Sequence, residues 1–167
     1  SQTGQIIQEG ISEANSMATW IASGTSYSHT NCPTLPFYTF YSMFGFQRVG
    51  DQIWAASDAR CRGFLMAATA GRTTLNGEGL QHQDGHSLLH ASTVPYCRAW
   101  DPAYAYELAT IIRNGIEEMW GRDMDVFHYV MLYNENQQQM PKPEGVDEGI
   151  VRGAYLLDEA KGKGARI

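Results

Sequence analysis

The strongest constraint on this chain is its alternation of short apolar runs with amphipathic helix patterns. Residues 63–69 (Gly-Phe-Leu-Met-Ala-Ala-Thr) carry no charge, as expected of a strand covered on both faces. Residues 36–41 form a Pro-led aromatic run (Pro-Phe-Tyr-Thr-Phe-Tyr) and read as a second buried strand. Residues 96–100 and 126–132 add two more. Helix patterns lie between them. Ile11, Ala14, Met17, Ala18, Ile21 and Ala22 recur at helical spacing and stop at Gly24. Phe46, Val49, Gly50, Ile53 and Ala56 repeat the pattern and end near Arg60. Leu108, Ala109, Ile112, Ile116 and Met119 mark a third helix, with Asp101 as N-cap, Pro102 in the first turn and Gly121 as its end. Residues 149–157 are a last apolar element. This order predicts an α/β fold, a mostly parallel sheet with helices on both faces. Ligands of such sheets bind outside the carboxyl ends of the strands, so the loops after Phe40, Ala70 and Trp100 are where chemistry belongs.

At 167 residues the chain makes one domain with a single core. Its net charge of −6 argues against a sequence-independent grip on nucleic acid and against a polybasic membrane anchor. No run reaches the length of a membrane span. Cys32, Cys61 and Cys97 are odd in number and widely spaced, which fits a reducing, cytoplasmic setting. The first residue is Ser, and the tail from Lys161 to Ile167 reads as a linker or a cut. The expected organisation is one domain over residues 1–157, then a linker or the start of another domain over 158–167, all within a longer polypeptide.

Four features invite a chemical reading. Ala70-Gly71-Arg72-Thr73-Thr74 mimics the end of a phosphate loop, but Arg72 stands where Lys is needed and Met66 where Gly is needed. Glu78, His82, His86 and His90 are spaced by four and would share one face of a continuous helix, as zinc ligands do. Gly77, Gly79 and Gly85 weaken that helix, and separate loop histidines are the plainer reading. Glu13 falls in the opening turn of the first helix, where an acidic residue stabilises the dipole. Phe37, Tyr38, Phe40, Tyr41, Phe44 and Phe46 are either core or, around Tyr41 and Phe44, a wall on which a flat heterocycle stacks. The stretch 71–86 is long for a connection, and such loops tend to be functional.

Taken together, several strings resemble the homodimeric bacterial pyruvate dehydrogenases. They include Gly10-Ile11-Ser12-Glu13, the run from Pro36 to Arg48, Gly71 to His82 with Asp84-Gly85-His86-Ser87, Asp101 to Glu107, and Asn134-Glu135-Asn136 followed by Met140-Pro141. The likeness runs through about residue 157. Transketolase and other distant relatives share the Gly-Ile-x-Glu helix and the Gly-Glu…His loop but not the intervening strings.

The resemblance implies a transketolase-like pyrimidine-binding domain. In this family thiamine diphosphate lies between domains of two subunits. The partner domain holds the diphosphate and Mg²⁺ through a Gly-Asp-Gly…Asn motif, and here Gly50-Asp51 is followed by Gln52. This chain would hold the aminopyrimidine, be inactive alone, and bind no metal itself. Glu13 would share a proton with ring nitrogen N1′, which favours the imino form of the 4′-amino group, the base for the C2 proton. Ile11 would keep the cofactor bent. Phe44 would stack on the pyrimidine, Tyr41 would lie near the ring or substrate, and His82 would face the substrate carboxylate or an intermediate. Glu78 and His86 match the strings without a firm role. Pyruvate would lose CO₂ and its two-carbon unit would pass to a lipoyl domain of dihydrolipoyl acetyltransferase. A helix N-terminus favours the Glu13 anion by only about 0.3–1 kcal/mol, so in a dry aromatic pocket burial would win and leave Glu13 able to donate a proton.

Overall fold

A computed structural model describes residues 3–70 and 79–159, the side chain of Thr69 excepted. Among these residues four strands, β1 (Phe37–Tyr41), β2 (Phe64–Ala70), β3 (Cys97–Trp100) and β4 (Phe127–Tyr133), form one sheet in the order β1-β2-β4-β3. All three pairings are parallel. Among the described residues six α-helices precede, connect or follow the strands: α1 (Glu13–Gly24), α2 (Ser26–His29), α3 (Phe46–Asp58), α4 (Ser87–Ala91), α5 (Ala105–Ile116) and α6 (Asp147–Arg152).

The strand period of two divides the core into two layers. Leu65, Ala67, Phe127, Tyr129 and Met131 face α1, α3 and α4, where they meet Met17, Trp20, Val49 and Ile53. Phe64, Met66 and Val130 point the other way, onto Ile111 of α5, Met119 and Ile150 of α6. Helices therefore cover both faces, as the apolar runs predict. Among the described residues no helix is long and apolar enough to cross a membrane.

Three local expectations need correction. The aromatic run at 37–41 is an edge strand rather than a buried one: of its residues only Phe40 is buried, and Phe37 is 48% exposed. Its other aromatic rings pack sideways, as Phe37 does on Phe64 with centroids 4.7 Å apart. Helix α5 begins at Ala105 rather than beside Asp101. Glu107 captures the backbone N–H groups of Ala103 and Tyr104 at 2.6 and 3.0 Å, while Asp101 accepts the Tyr133 hydroxyl at 2.8 Å. The last apolar element is a single short helix, Asp147–Arg152, stopped by Gly153 at φ +88°. The tail from 160 onward lies outside the described residues.

Two buried polar clusters tie the layers. Before β2, the buried Arg62 donates to the Met119 carbonyl and to Asp125, both at 2.8 Å, and pairs with Asp123 at 2.7 Å. Its guanidinium also stacks on Tyr27, 4.1 Å from the ring centroid. Under α5, the buried Glu118 pairs with Arg98 and with Arg122, the latter at 3.4 Å, and lies 3.2 Å from Nε2 of the fully buried His128.

Candidate functional site

The site residues gather beyond the carboxyl end of β1. Tyr41 is the last residue of that strand, and a tight turn over Ser42–Phe44 leads into α3. Gly45 makes the turn possible, since a Cβ there would lie 2.3 Å from a ring carbon of Phe40. A second turn, Leu80–His82, returns the chain to the same place. The ring of His82 lies 5.3 Å from Tyr41 and 5.3 Å from Phe44, edge-on to the latter, and Tyr41 and Phe44 are 5.7 Å apart. His82, which sequence spacing leaves unrelated to Tyr41 and Phe44, thus joins them in one aromatic corner.

Glu13 approaches that corner from α1. Its carboxylate Oε1 is 2.7 Å from Nη1 of Arg48. The same guanidinium lies over the Phe44 ring, 4.0 Å from the centroid. Phe44 and Arg48 are four apart across the turn into α3, and Gln52, beyond a kink at Val49, donates to the Ala14 carbonyl at 3.1 Å and so fixes α3 against α1. Glu13 therefore does not sit in a dry aromatic pocket: an arginine meets its carboxylate, and its side chain is 18% exposed. Ile11 is fully exposed two residues before Glu13.

A buried hydrogen-bond unit supports the corner from behind. Asp84 accepts the backbone N–H of His86 and of Ser87 at 3.2 and 3.1 Å, and the Ser87 hydroxyl at 2.6 Å. That hydroxyl also lies 3.4 Å from the Ser42 carbonyl, in the turn that carries Phe44. His86 contacts the Gln47 side chain through Nε2. His82 and His90 occupy different elements, a turn and α4, so the histidines do not line one helix. Glu78 and the residues from Gly71 to Gly77 lie outside the described residues.

Nearby groups feel their burial. The Tyr38 hydroxyl is raised above the ordinary tyrosine value, by burial first and by the Glu13 charge in addition, against a lowering hydrogen bond with Ser16. A groove of about 890 Å³ between α5 and α6 lies on the far layer and contains none of the residues above.

The sequence profile described as "Pyruvate dehydrogenase E1 component middle domain" matches residues 1–140. The chain belongs to the pyruvate dehydrogenase E1 family. It is 61% identical to the pyruvate dehydrogenase E1 component of Pseudomonas aeruginosa over 97% of its own length, which is 18% of that relative. It is 51% identical to the Escherichia coli K12 protein of the same name over 99% of its length, 19% of that relative. The Mycobacterium tuberculosis protein is 56% identical over 96%, or 17% of that relative. The chain therefore spans less than a fifth of the E1 components it matches. Among solved structures, a "Split gene transketolase, inactive beta4 tetramer" superposes with a TM-score of 0.62 at 19% identity, over 81% of this chain and 39% of the other. That likeness shows the transketolase-like α/β fold.

The sequence reading of the corner missed Arg48. It stands at the end of a matched string, and its spacing from Phe44 was the available signal. It also missed Asp84 and Ser87 as supports, because their bond to the Ser42 turn crosses 45 residues.

Proposed function

We propose that this domain is the aminopyrimidine-binding half of the active site of a cytoplasmic, thiamine-diphosphate-dependent pyruvate dehydrogenase. The observation that carries the reading is the joining of Glu13 to the Tyr41–Phe44–His82 corner through Arg48. A carboxylate beside a flat aromatic wall is what recognition of a basic heterocycle requires. His82 supports the fit, because its Nδ1 is buried and has no hydrogen-bond partner among the described residues. An unpaired buried ring nitrogen is costly unless a ligand meets it.

Bound thiamine diphosphate supplies the electron sink for loss of CO₂ from a 2-oxo acid. The chain's own residues bind and orient. Glu13 holds a proton at ring nitrogen N1′. Phe44 stacks on the ring, Tyr41 closes its side, and Ile11 offers apolar contact at the entrance. His82 hydrogen-bonds the carboxylate of pyruvate or the group that replaces it. The diphosphate and Mg²⁺ belong to the partner domain, contributed by the second subunit of a homodimer. The two-carbon product passes to the lipoyl domain of a dihydrolipoyl acetyltransferase. The proposed unit is residues 1–157, with 158–167 a linker or the start of the next domain.

The test is Glu13→Gln in the full-length enzyme. The amide keeps the shape and loses the exchangeable carboxyl proton, so pyruvate decarboxylation is expected to fall by at least about a hundredfold, in the range of a positioned acid or base, with unchanged circular dichroism. Near-normal turnover would remove Glu13 from the mechanism. Preferred turnover of a different 2-oxo acid or of a ketose phosphate would move the enzyme to another branch of the superfamily.

A further inference from the structure

Arg48 already makes the two contacts that the proposed function assigns to the aminopyrimidine. Its guanidinium is flat, donates N–H hydrogen bonds and carries positive charge. It engages Glu13 at 2.7 Å and lies over Phe44 at 4.0 Å. A protonated aminopyrimidine has the same three properties. The Arg48 side chain is also 48% exposed, so its head can move into water at the cost of one ion pair and one stacking contact.

We propose that Arg48 is a built-in competitor for the ring site: a heterocycle that pairs with Glu13 and stacks on Phe44 must first displace its guanidinium, and residue 48 thereby sets how tightly and how fast the cofactor enters. This rests on the reading of Glu13 and Phe44 given above. The α3 backbone supports it. Arg48 sits in the first turn of α3, four residues beyond Phe44, and past the kink at Val49 Gln52 holds the rest of the helix to α1, so the side chain can withdraw while that part of α3 stays in place. A displaceable guanidinium also spares Glu13 an unpaired charge near aromatic rings, since a carboxylate in such a place is costly without a partner.

The experiment uses the full-length enzyme freed of cofactor and titrated with thiamine diphosphate and Mg²⁺, followed by tryptophan fluorescence and calorimetry. Arg48→Met keeps the apolar stem and removes the competing head. Affinity is expected to rise about tenfold, the combined scale of an exposed ion pair and a cation–π contact, with faster association in stopped flow. Arg48→Lys keeps a charge for Glu13 but loses the flat fork, and is expected to fall between wild type and Arg48→Met. In a Glu13→Gln background the gain from Arg48→Met should shrink, because the two residues share one contact. Unchanged or weaker binding by Arg48→Met, or by Arg48→Lys should the first variant not fold, overturns the proposal. A different outcome separates the underlying reading: if Glu13→Gln alone leaves both cofactor affinity and pyruvate turnover intact, the ring site itself is misplaced, whatever residue 48 does.

Discussion

Trp100 donates its indole N–H to Nδ1 of His128 at 2.9 Å. An indole can only donate, so Nδ1 accepts and the ring proton of neutral His128 sits on Nε2, facing Oε2 of Glu118. A single hydrogen bond between strands β3 and β4 thus orients a buried imidazole toward a buried carboxylate. Trp100→Phe leaves Nδ1 unpaired in the core. The expected cost is about 1–3 kcal/mol of stability, read as a lower urea midpoint with an unchanged slope.

The same cluster predicts a pH dependence. Burial pushes the Glu118 carboxyl up, but the neighbouring His128 and Arg98 outweigh it, and its pKa lies below the ordinary 4.5. A depressed folded-state pKa means that the unfolded chain takes up the proton first as pH falls. The stabilisation is complete above the unfolded value and is lost as pH drops through the folded one. Glu118→Gln should therefore flatten the stability profile from about pH 5 downward, in the carboxylate range. Parallel profiles for the two proteins in acid would refute the linkage.

Arg62 should be the most sensitive charged residue in the fold. Its guanidinium is nearly fully buried and divides its donors among a carbonyl and two aspartates. Arg62→Met strands Asp125 and the Met119 carbonyl together. A loss of about 3–5 kcal/mol is expected, and Arg62→Lys should recover only part of it because an ammonium lacks the fork and the stack on Tyr27. Chemical denaturation of the three proteins gives the ranking.

Gly45→Ala should couple stability to the site. The added methyl meets the Phe40 ring at 2.3 Å, and overpacking of this kind costs about 1–3 kcal/mol. Phe40 cannot yield without moving the turn that bears Phe44. Thermal unfolding and thiamine diphosphate titration of the full-length variant should both worsen. A shift in one alone would show that the turn and the ring site are independent.

Thiol chemistry should distinguish the three cysteines. Burial pushes the Cys61 and Cys97 thiols each up to about 12, whereas Cys32 is exposed. At pH 8 these two thiols stay protonated and poorly nucleophilic. Iodoacetamide should label Cys32 alone in the folded protein and all three in denaturant, as intact mass would report.

The layer plan was legible because apolar runs and helical spacing report burial directly. Residues 63–69 and 126–132 announce strands covered on both faces, and β2 and β4 are the two central strands. The edge position of β1 was not legible, since Phe37 and Tyr38 look the same in a sequence whether they fill a core or pack along an edge. The α5 start was misread because Asp101 and Pro102 signal a cap locally, while the choice was made by Glu107 and Tyr133, the second of them 32 residues away. The site followed the same division. Glu13, Tyr41, Phe44 and His82 came from resemblance to whole strings, and their meeting depends on two turns that return to one corner. Arg62 and Asp125, 63 residues apart, carried no shared signal.

Tyr41 takes its register from the ladder between β1 and β2. It stands opposite Ala68, Phe40 stands opposite Ala67, and among the described residues β1 has no second neighbour strand to check the alignment. Sliding that strand by one position would exchange the two aromatics between the two faces of the sheet. The buried ring would swing outward and the other inward, so which of the two rings reaches the corner is decided by that row of backbone hydrogen bonds.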